Sequence, residues 1–531
     1  MGYAANWLGQ ARLLRRGGKL AAAAQLCRKA LDRDPLSFEA LDLLAALCSE
    51  MGDHAEAARV LEVAAAGEPR SAERFRMLGA ELCAAGQTDR AIQALTTAAE
   101  IDPGLASAWR DLGVLLHAVG RAAAGTEALR RVVEIEPESD AGWTNLGVAL
   151  RNQGLLAEAE TSYRRALDLN PRSAVAFRYA GILLSETGRY DESVDAFRSA
   201  IDLDPGDEGA HVGLTIALRL RGDYAQGWQE HESWVDSLTQ GTGHGGLPKW
   251  QGDPMPGGVL DVHSDAGLGD AIQFVRYLPM VKERFEGRIR LVCQPQLLRL
   301  FRQVQGVDEL VPAPEEDGAG RPPDRVISFH SLPWIFGTTV DSVPMPGGYL
   351  KADPDAVERW AAELASTPGL RVGLRWTGGL ANPDLRRRSL PLADLAPLGA
   401  IGGVSLFSLQ PEASGIEIER APAGMKLRDF GDRIWEFGEM AALMSCLDLI
   451  ITIDTVVAHI AGALSLPAWV LLPHVPDWRW LPSRPDDTPW YDSLRLFRQP
   501  SPGDWRSVVE RVAARLRAEA AGVNPDCSRF L

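Results

Sequence analysis

The chain has 531 residues, too many for one hydrophobic core, which predicts two or three domains. Its formal net charge of −16 argues against non-specific binding to nucleic acid or to anionic membranes. The six cysteines form no C-x-x-C pair, which argues against a zinc site or a disulfide framework. No secretory signal is visible, and the most apolar run, Val456 to Leu472, is too short to span a membrane. We therefore expect a cytoplasmic protein with no metal, no bound cofactor and no membrane span.

Two residue types recur with the same period in the N-terminal half. The period is 34 residues, and it places Pro35, Pro69, Pro103, Pro137, Pro171 and Pro205 in one series and Gly18, Gly52, Gly86, Gly120, Gly154, Gly188 and Gly222 in another. Glycine adopts the left-handed conformation that ends a helix at little cost, and proline is tolerated just after a helix because it lacks an N–H. The pattern predicts stacked helix pairs.

The period and two local motifs resemble the tetratricopeptide repeat (TPR) family. Trp109 to Gly113 and Trp143 to Gly147 both fit its W-x-x-L-G signature, and the resemblance covers about residues 4–240, or about seven repeats. We assign residues 1–240 to a TPR superhelix, an α-solenoid.

The TPR resemblance also implies a groove that binds a peptide, lined by positions on the first helix of each repeat. Those positions hold Asn145, Val148, Arg178 and Ile182, with Val114 and Ile216 in the same stripe. The alternative is that these side chains only pack the solenoid. The position of Asn145 holds other residue types elsewhere, so we expect a partner with apolar side chains.

Strands and helices alternate after the Gly-rich connector from Ser237 to Gly246. The predicted strands are Val259–His263, Arg288–Cys293, a short strand near Leu310, Arg325–Phe329, Val372–Trp376, Val404–Leu409, Leu449–Ile453 and Ala468–Leu472. The predicted helices are Asp270–Arg284, Gln296–Val304, Pro354–Ala365, Val456–Leu464 and Asp504–Ala521. The order predicts two Rossmann-like α/β lobes, residues 241–365 and 366–531, as in GT-B glycosyltransferases, periplasmic-binding-type folds or dehydrogenases.

The first chemical motif, Ser264 to Phe274, follows a strand and opens a helix. Gly267 and Gly269 allow the backbone to approach a ligand, and Asp270 falls in the first turn of the helix. Asp270 is either a helix cap or a general base that takes a proton from an acceptor hydroxyl; the residues alone favour the cap.

The second motif, Ile451 to Gly462, again runs from strand to helix. Asp454 and Thr455 are predicted to cap the helix, whose free N–H groups would bind a phosphate or diphosphate. His459 lies one turn after Thr455, and the sequence leaves open whether it packs or binds.

The third motif combines a Thr-Gly-Gly turn at Thr377 with three consecutive arginines, Arg386, Arg387 and Arg388. The arginines would neutralise the charge on a leaving nucleotide phosphate or form a solvated basic loop.

Four segments together resemble a bacterial family in which TPRs precede a domain similar to the lipopolysaccharide heptosyltransferases, of GT-B fold. They are Gly267 to Pro279, Arg386 to Leu392, Phe407 to Gln410 and Ile453 to Trp480. The layout also resembles the O-GlcNAc transferase and the TPR-linked flagellin glycosyltransferases.

The resemblance implies a role for each motif. It makes Asp270 the base, Asp454 and Thr455 the donor phosphate turn, and Gln410 a nucleoside-recognition residue, with the arginines facing the donor phosphates. The sequence departs from the family at Asp265-Ala266 and in the loop from Leu380 to Leu385.

The resemblance predicts a metal-independent, inverting glycosyltransferase that uses a nucleotide-sugar and glycosylates Ser or Thr of a protein delivered by the TPRs, with flagellin as an example. The alternatives are an enzyme of envelope polysaccharide synthesis, with TPRs that recruit partners, and a non-catalytic TPR scaffold with a decayed GT-B domain.

Overall fold

The computed structural model describes residues 2–522 apart from 240–242, 266, 314–321, 379–387, 412–417, 419–420, 423 and 435. The chain divides into two compact units. Unit 1 contains residues 1–184 and 195–207, and unit 2 contains residues 185–194 and 208–531. Among the described residues, no helix has both the length and the apolar character needed to cross a bilayer.

Residues 2–239 form fourteen helices in tandem. Their bounds are α1 Gly2–Arg16, α2 Leu20–Leu31, α3 Phe38–Glu50, α4 His54–Gly67, α5 Ala72–Ala84, α6 Thr88–Ile101, α7 Ala106–Ala118, α8 Ala122–Ile135, α9 Asp140–Asn152, α10 Leu156–Leu169, α11 Ala174–Glu186, α12 Tyr190–Leu203, α13 Glu208–Arg221 and α14 Tyr224–Thr239. All seven periodic glycines have positive φ, between 73° at Gly18 and 91° at Gly222, which confirms their predicted role in ending helices.

Small residues allow close helix pairing in unit 1. A Cβ added to Gly113 would lie 2.8 Å from Cγ of Leu129, and one added to Gly147 would lie 2.5 Å from Cε1 of Tyr163. These glycines therefore let the paired helices approach closely. The core of unit 1 is built mostly from alanine and leucine, as at Ala64 and Leu95.

Two parallel sheets form the framework of unit 2. The strands are β1 Val259–His263, β2 Arg288–Cys293, β3 Glu309–Pro312, β4 Arg325–Ser328, β5 Leu370–Arg375, β6 Val404–Ser408, β7 Leu427–Asp429, β8 Leu449–Ile453, β9 Ala468–Leu472 and β10 Leu494–Arg498. The first sheet has the order β3-β2-β1-β4 and the second β10-β9-β8-β5-β6-β7. Parallel sheets that share a chain with crossover helices define an α/β region.

The helices of the α/β region are mostly short. Their bounds are α15 Leu268–Phe274, α16 Leu278–Phe285, α17 Leu332–Ile335, α18 Pro354–Leu364, α19 Ala396–Gly399, α20 Phe437–Met444, α21 Val456–Ala463 and α22 Trp505–Ala520. Asp504 caps α22, because its carboxylate accepts a hydrogen bond from the backbone N–H of Ser507.

Two helix predictions need correction. The predicted helix Asp270–Arg284 is divided by a 3-10 turn, Val275–Tyr277, just before Pro279. The predicted helix Gln296–Val304 is wrong, since only the 3-10 turn Pro295–Leu297 forms there, followed by hydrogen-bonded turns.

The helix pair α13–α14 packs into the hydrophobic core of unit 2. Leu220, Tyr224 and Trp228 belong to the same buried cluster as Phe274 and Trp490. Nε1 of Trp228 donates to the carbonyl oxygen of Thr338 at 3.1 Å. The last helix pair of the 34-residue pattern is therefore a structural part of the α/β unit.

Candidate functional site

The Asp270 carboxylate lies at the start of α15. The N-cap residue of this helix is Gly267, which offers no side chain for a cap hydrogen bond. The carboxylate of Asp270 instead forms an ion pair with the guanidinium of Arg479. Asp270 thus lies in the first turn of α15, where its negative charge is favoured, and is also paired with an arginine.

The turn after β8 carries Asp454 and Thr455. Asp454 is only 3% exposed and accepts a hydrogen bond from Nη1 of Arg388 at 2.7 Å. Thr455 is the N-cap residue of α21 by position, but its side chain makes no cap hydrogen bond. The prediction that both side chains cap this helix is therefore wrong, because Asp454 pairs with arginine instead.

His459 joins the first motif to the second. A Cβ added to Gly269 would lie 2.8 Å from Cδ2 of His459, so the glycine lets α15 rest on the imidazole. The Nδ1 atom of His459 is 2.8 Å from the hydroxyl of Tyr491. Burial lowers the pKa of His459 to about 3, so the ring is neutral. These contacts are those of a packing residue.

Charged side chains link Asp270 to Asp454. Arg479 donates to Oδ1 of Asp477 at 2.7 Å as well as to Asp270. Nη2 of Arg388 lies 3.6 Å from Oδ2 of the same Asp477, and Arg388 also holds Asp454. Burial, together with the charge of Asp454, raises the pKa of Asp477 to about 6. We call the series Asp270–Arg479–Asp477–Arg388–Asp454 the charge chain.

Polar side chains follow two further strands of the six-stranded sheet. Gln410 comes two residues after β6, is 2% exposed, and its Oε1 finds no hydrogen-bond partner among the described residues. Thr377 comes two residues after β5, and its hydroxyl lies 3.2 Å from Oγ of Ser389. Because β8, β5 and β6 are neighbours, the carboxyl ends that carry Asp454, Thr377 and Gln410 share one edge.

Of the predicted arginine triplet, only Arg388 is described. Arg386 and Arg387 lie outside the described residues. In the part of the chain that the structure describes, no group of three or more His, Cys, Asp or Glu could hold a metal ion.

The predicted peptide-binding residues of unit 1 lie on first helices of the pairs. Asn145, Val148, Arg178 and Ile182 are all half-buried. Arg178 forms an ion pair with Asp207 at 3.0 Å and lies over the ring of Tyr179. Val114, one repeat before Val148, is 53% exposed.

Sequence reasoning missed Asp477 and Arg479, the centre of the charge chain. Both fall within the segment Ile453 to Trp480 that carried the family resemblance, but neither was given a role. A signal was present, since an Asp and an Arg beside Trp478 and Trp480 are costly to bury unless they are paired.

Comparison with known proteins identifies the repeats. Family models described as "Tetratricopeptide repeat" match residues 14–82, 82–146 and 144–208. These residues are therefore TPRs.

One curated relative covers more of the chain. Protein FlbA of Caulobacter vibrioides is 27% identical over 341 residues, which are 58% of this chain and 54% of that protein. The chain thus spans about half the length of the curated relative that it matches.

Solved structures resemble parts of the chain. The MamA protein is 24% identical over 33% of this chain and 96% of its own, with a TM-score of 0.31. YrrB, described as a TPR protein with an unusual peptide-binding site, is 20% identical over 35% of this chain and 96% of its own, with a TM-score of 0.30. PilF of Pseudomonas aeruginosa is 18% identical over 39% and 95%, with a TM-score of 0.33. At these TM-scores the likenesses carry no argument about function.

Proposed function

We propose that the chain is a GT-B glycosyltransferase that moves a sugar from a nucleotide-sugar to a Ser or Thr hydroxyl of a protein held by the TPRs. The observation that carries this proposal is the charge chain. It joins Asp270, in the first turn of the helix after β1, to Asp454, which follows β8 of the other sheet. A base and a donor phosphate turn contributed by different sheets are what a two-lobed transferase needs.

The chemistry assigned to the site is a single displacement. A lone pair of the acceptor hydroxyl forms a bond to the anomeric carbon, and the bond from that carbon to the phosphate oxygen breaks. The bonding pair leaves with the nucleoside diphosphate, and the hydroxyl proton passes to the Asp270 carboxylate. Attack opposite the leaving group inverts the anomeric centre.

The leaving diphosphate would gain its stabilisation at the carboxyl edge of the six-stranded sheet. Arg388 supplies a guanidinium there, and the first N–H groups of α21 supply a helix N-terminus. The Oε1 atom of buried Gln410, which has no hydrogen-bond partner in the described part of the chain, supports a ligand with N–H donors, such as a nucleobase, at the same edge.

The TPRs support a protein acceptor. Val114, Val148 and Ile182 repeat on the first helices α7, α9 and α11, and Val114 is exposed. An apolar stripe on a solenoid fits apolar side chains of a bound segment. We include flagellin among the candidate acceptors because the layout resembles that of the TPR-linked flagellin glycosyltransferases.

A donor panel tests the enzyme assignment. The full chain is incubated with nucleotide-sugars of different bases and sugars, and thermal stabilisation and release of nucleoside diphosphate are followed. We expect one donor to stabilise the protein, and Asp270→Asn to retain that stabilisation while losing about 1,000-fold in turnover. Glu283→Gln, an exposed carboxylate on α16, is the charge-matched control and keeps full turnover. If no donor stabilises the protein, the enzyme assignment is contradicted and the non-catalytic scaffold is favoured.

An acceptor comparison tests the delivery by the TPRs. The double variant Val114→Glu/Ile182→Glu should lose transfer to the protein acceptor but keep donor hydrolysis. If the double variant still transfers sugar to an envelope saccharide at the full wild-type rate, the polysaccharide alternative is favoured.

A further inference from the structure

Arg479 holds two residues of α15 from the opposite side of the site. Its guanidinium pairs with Asp270 and also donates to Oε1 of Gln273, three residues further along the same helix. Arg479 itself follows β9, in the 3-10 turn Trp478–Trp480 of the six-stranded-sheet region. One side chain therefore fixes both the position of α15 and the direction of its carboxylate.

The guanidinium of Arg479 stays charged although it is buried. Burial lowers the pKa of Arg479 to about 10, which leaves it protonated at neutral pH. A buried guanidinium is tolerated when several acceptors surround it, and here Asp270, Gln273 and Asp477 do so. Removing one acceptor would leave the positive charge of the Arg479 guanidinium poorly compensated.

The turn that carries Arg479 is rigidly supported. The guanidinium of Arg479 packs 4.3 Å from the centroid of the Trp478 ring, and the backbone oxygen of Arg479 accepts from the hydroxyl of Thr488 at 3.0 Å. Beneath it, Arg219 of α13 lies 3.8 Å from the ring of Trp228 and 5.2 Å from that of Trp478. A support of this kind suits a residue that must orient another.

The other end of the charge chain reaches the donor side. Asp477 contacts Arg479 through Oδ1 and Arg388 through Oδ2, so one carboxylate serves both arginines. A diphosphate bound by Arg388 would therefore change the electrostatic interaction between Asp477 and Arg479. The carboxylate of Asp270 is in this way connected to donor occupancy by three intervening side chains.

We propose that Arg479 is a positioning residue for Asp270, whose carboxylate it holds aimed at the acceptor hydroxyl. The proposal rests on the glycosyltransferase assignment above. Arg479 acts through Asp270 and takes no part in proton transfer or in bond breaking itself. Its removal should reduce turnover and leave donor binding largely intact.

A double-mutant cycle tests the proposal in the full chain. Turnover and donor KM are measured for the wild type, Asp270→Asn, Arg479→Gln and the double variant. We expect Arg479→Gln to lower kcat about 100-fold, the scale of a misplaced catalytic group, with donor KM changed less than about threefold. The double variant should be no slower than Asp270→Asn alone, because Arg479 has nothing left to position. Arg479→Lys, which keeps the charge, should recover about tenfold of the loss in kcat.

The outcomes separate the two proposals. A wild type that turns over no donor overturns the glycosyltransferase assignment, and the role of Arg479 falls with it. An active wild type whose double variant loses the product of the two single losses overturns the role of Arg479 alone, since that result marks a merely structural residue. If Arg479→Gln does not fold, the same cycle is run with Arg479→Lys, where non-additive loss again supports the proposal and additive loss overturns it.

Discussion

The surface ion pairs between repeats of unit 1 and the charge chain of unit 2 differ in how far they are shielded from water. In unit 1, arginines bridge neighbouring repeats at the surface, as in Arg130–Glu158, whose side chains are 41% and 50% exposed. In unit 2, the charge chain is buried at Asp454 and Arg479 and half-buried at its other members, and it connects segments far apart in sequence. Exposed pairs contribute little and tolerate change, whereas buried pairs are intolerant of losing one partner. Sensitivity to mutation should therefore be concentrated in unit 2.

Cutting the chain inside unit 2 should have the largest effect. A chain of residues 241–531 lacks α13 and α14, and so uncovers Trp478 and Trp490, which pack against Tyr224. The loss of Leu220, Tyr224 and Trp228 from the core should exceed about 5 kcal/mol, which is comparable with the whole stability of a domain. We expect this chain to show no cooperative thermal transition by calorimetry.

The matched control is a chain of residues 185–531, which contains all of unit 2. It should unfold cooperatively. Equal cooperativity of the two chains would contradict the role of α13–α14 as part of the α/β core.

His459 should make the stability of unit 2 depend on pH. Its folded pKa of about 3 lies below the unfolded value, so the unfolded state binds the extra proton as the pH falls from about 6.5 towards 3. Stability is complete above pH 6.5, and about 3 kcal/mol should be lost at pH 4 through this residue. His459→Gln should remove that part of the loss, measured as urea unfolding at pH 7 and pH 4.

Exposed His474 provides the control for this measurement. The variant His474→Gln should show the same loss of stability on acidification as the wild type. If His459→Gln loses as much stability on acidification as the wild type, the buried imidazole does not cause the pH dependence.

Gly147→Ala sharpens the comparison within unit 1. The new Cβ would overlap the ring of Tyr163, so the helix pair α9–α10 must separate, at a cost of about 1–3 kcal/mol. Gly9→Ala in α1 is the control, because no atom of the described residues lies within 4 Å of its Cβ position and alanine favours a helix. Chemical denaturation should rank Gly9→Ala at or above the wild type and Gly147→Ala below it.

Breaking a surface bridge should have the smallest effect. Arg130→Gln removes the 2.6 Å contact with Glu158 and should change the free energy of unfolding by less than about 0.5 kcal/mol. Chemical denaturation in low and high salt checks this value. A change above 1 kcal/mol would mean that the surface ion pairs of the repeats contribute substantially to stability, which would contradict the comparison.

The fold of unit 1 was predictable because its information is local. Each repeat is specified within 34 residues by a glycine, a proline and small residues at the helix contact. Four strands of unit 2, such as β1 and β8, were predicted to the residue, since buried parallel strands are continuous apolar runs. The strands β7 and β10 were missed.

The helix predicted at Gln296–Val304 failed because its apolar residues serve tertiary packing. Leu297, Leu300 and Phe301 are buried in the core of unit 2, and they repeat at a spacing that resembles a helix. The backbone makes an isolated bond from Phe301 N–H to the oxygen of Leu297 and then continues as turns.

Only part of the candidate site could be predicted from the sequence. Asp270 and Asp454 were predicted because each lies where a strand leads into a helix, and the family resemblance then gave each a role. Their pairing with Arg479 and Arg388 was not predicted. Asp270 and Arg479 are 209 positions apart in the sequence, and no local pattern encodes such a contact. Which arginine meets which carboxylate is decided by how the sheets and helices of unit 2 pack.

The shared core of α13–α14 and the α/β region has a consequence for how such a chain can evolve. A duplication or deletion of one 34-residue segment within α1 to α10 changes mainly the length of the array, since the helices there pack chiefly against their neighbours in sequence. A recombination point between α14 and β1 would instead strip Trp228 and Arg219 from beneath Trp478. The array is thus free to grow at its N-terminal end, whereas its last helix pair is inherited together with the domain that follows.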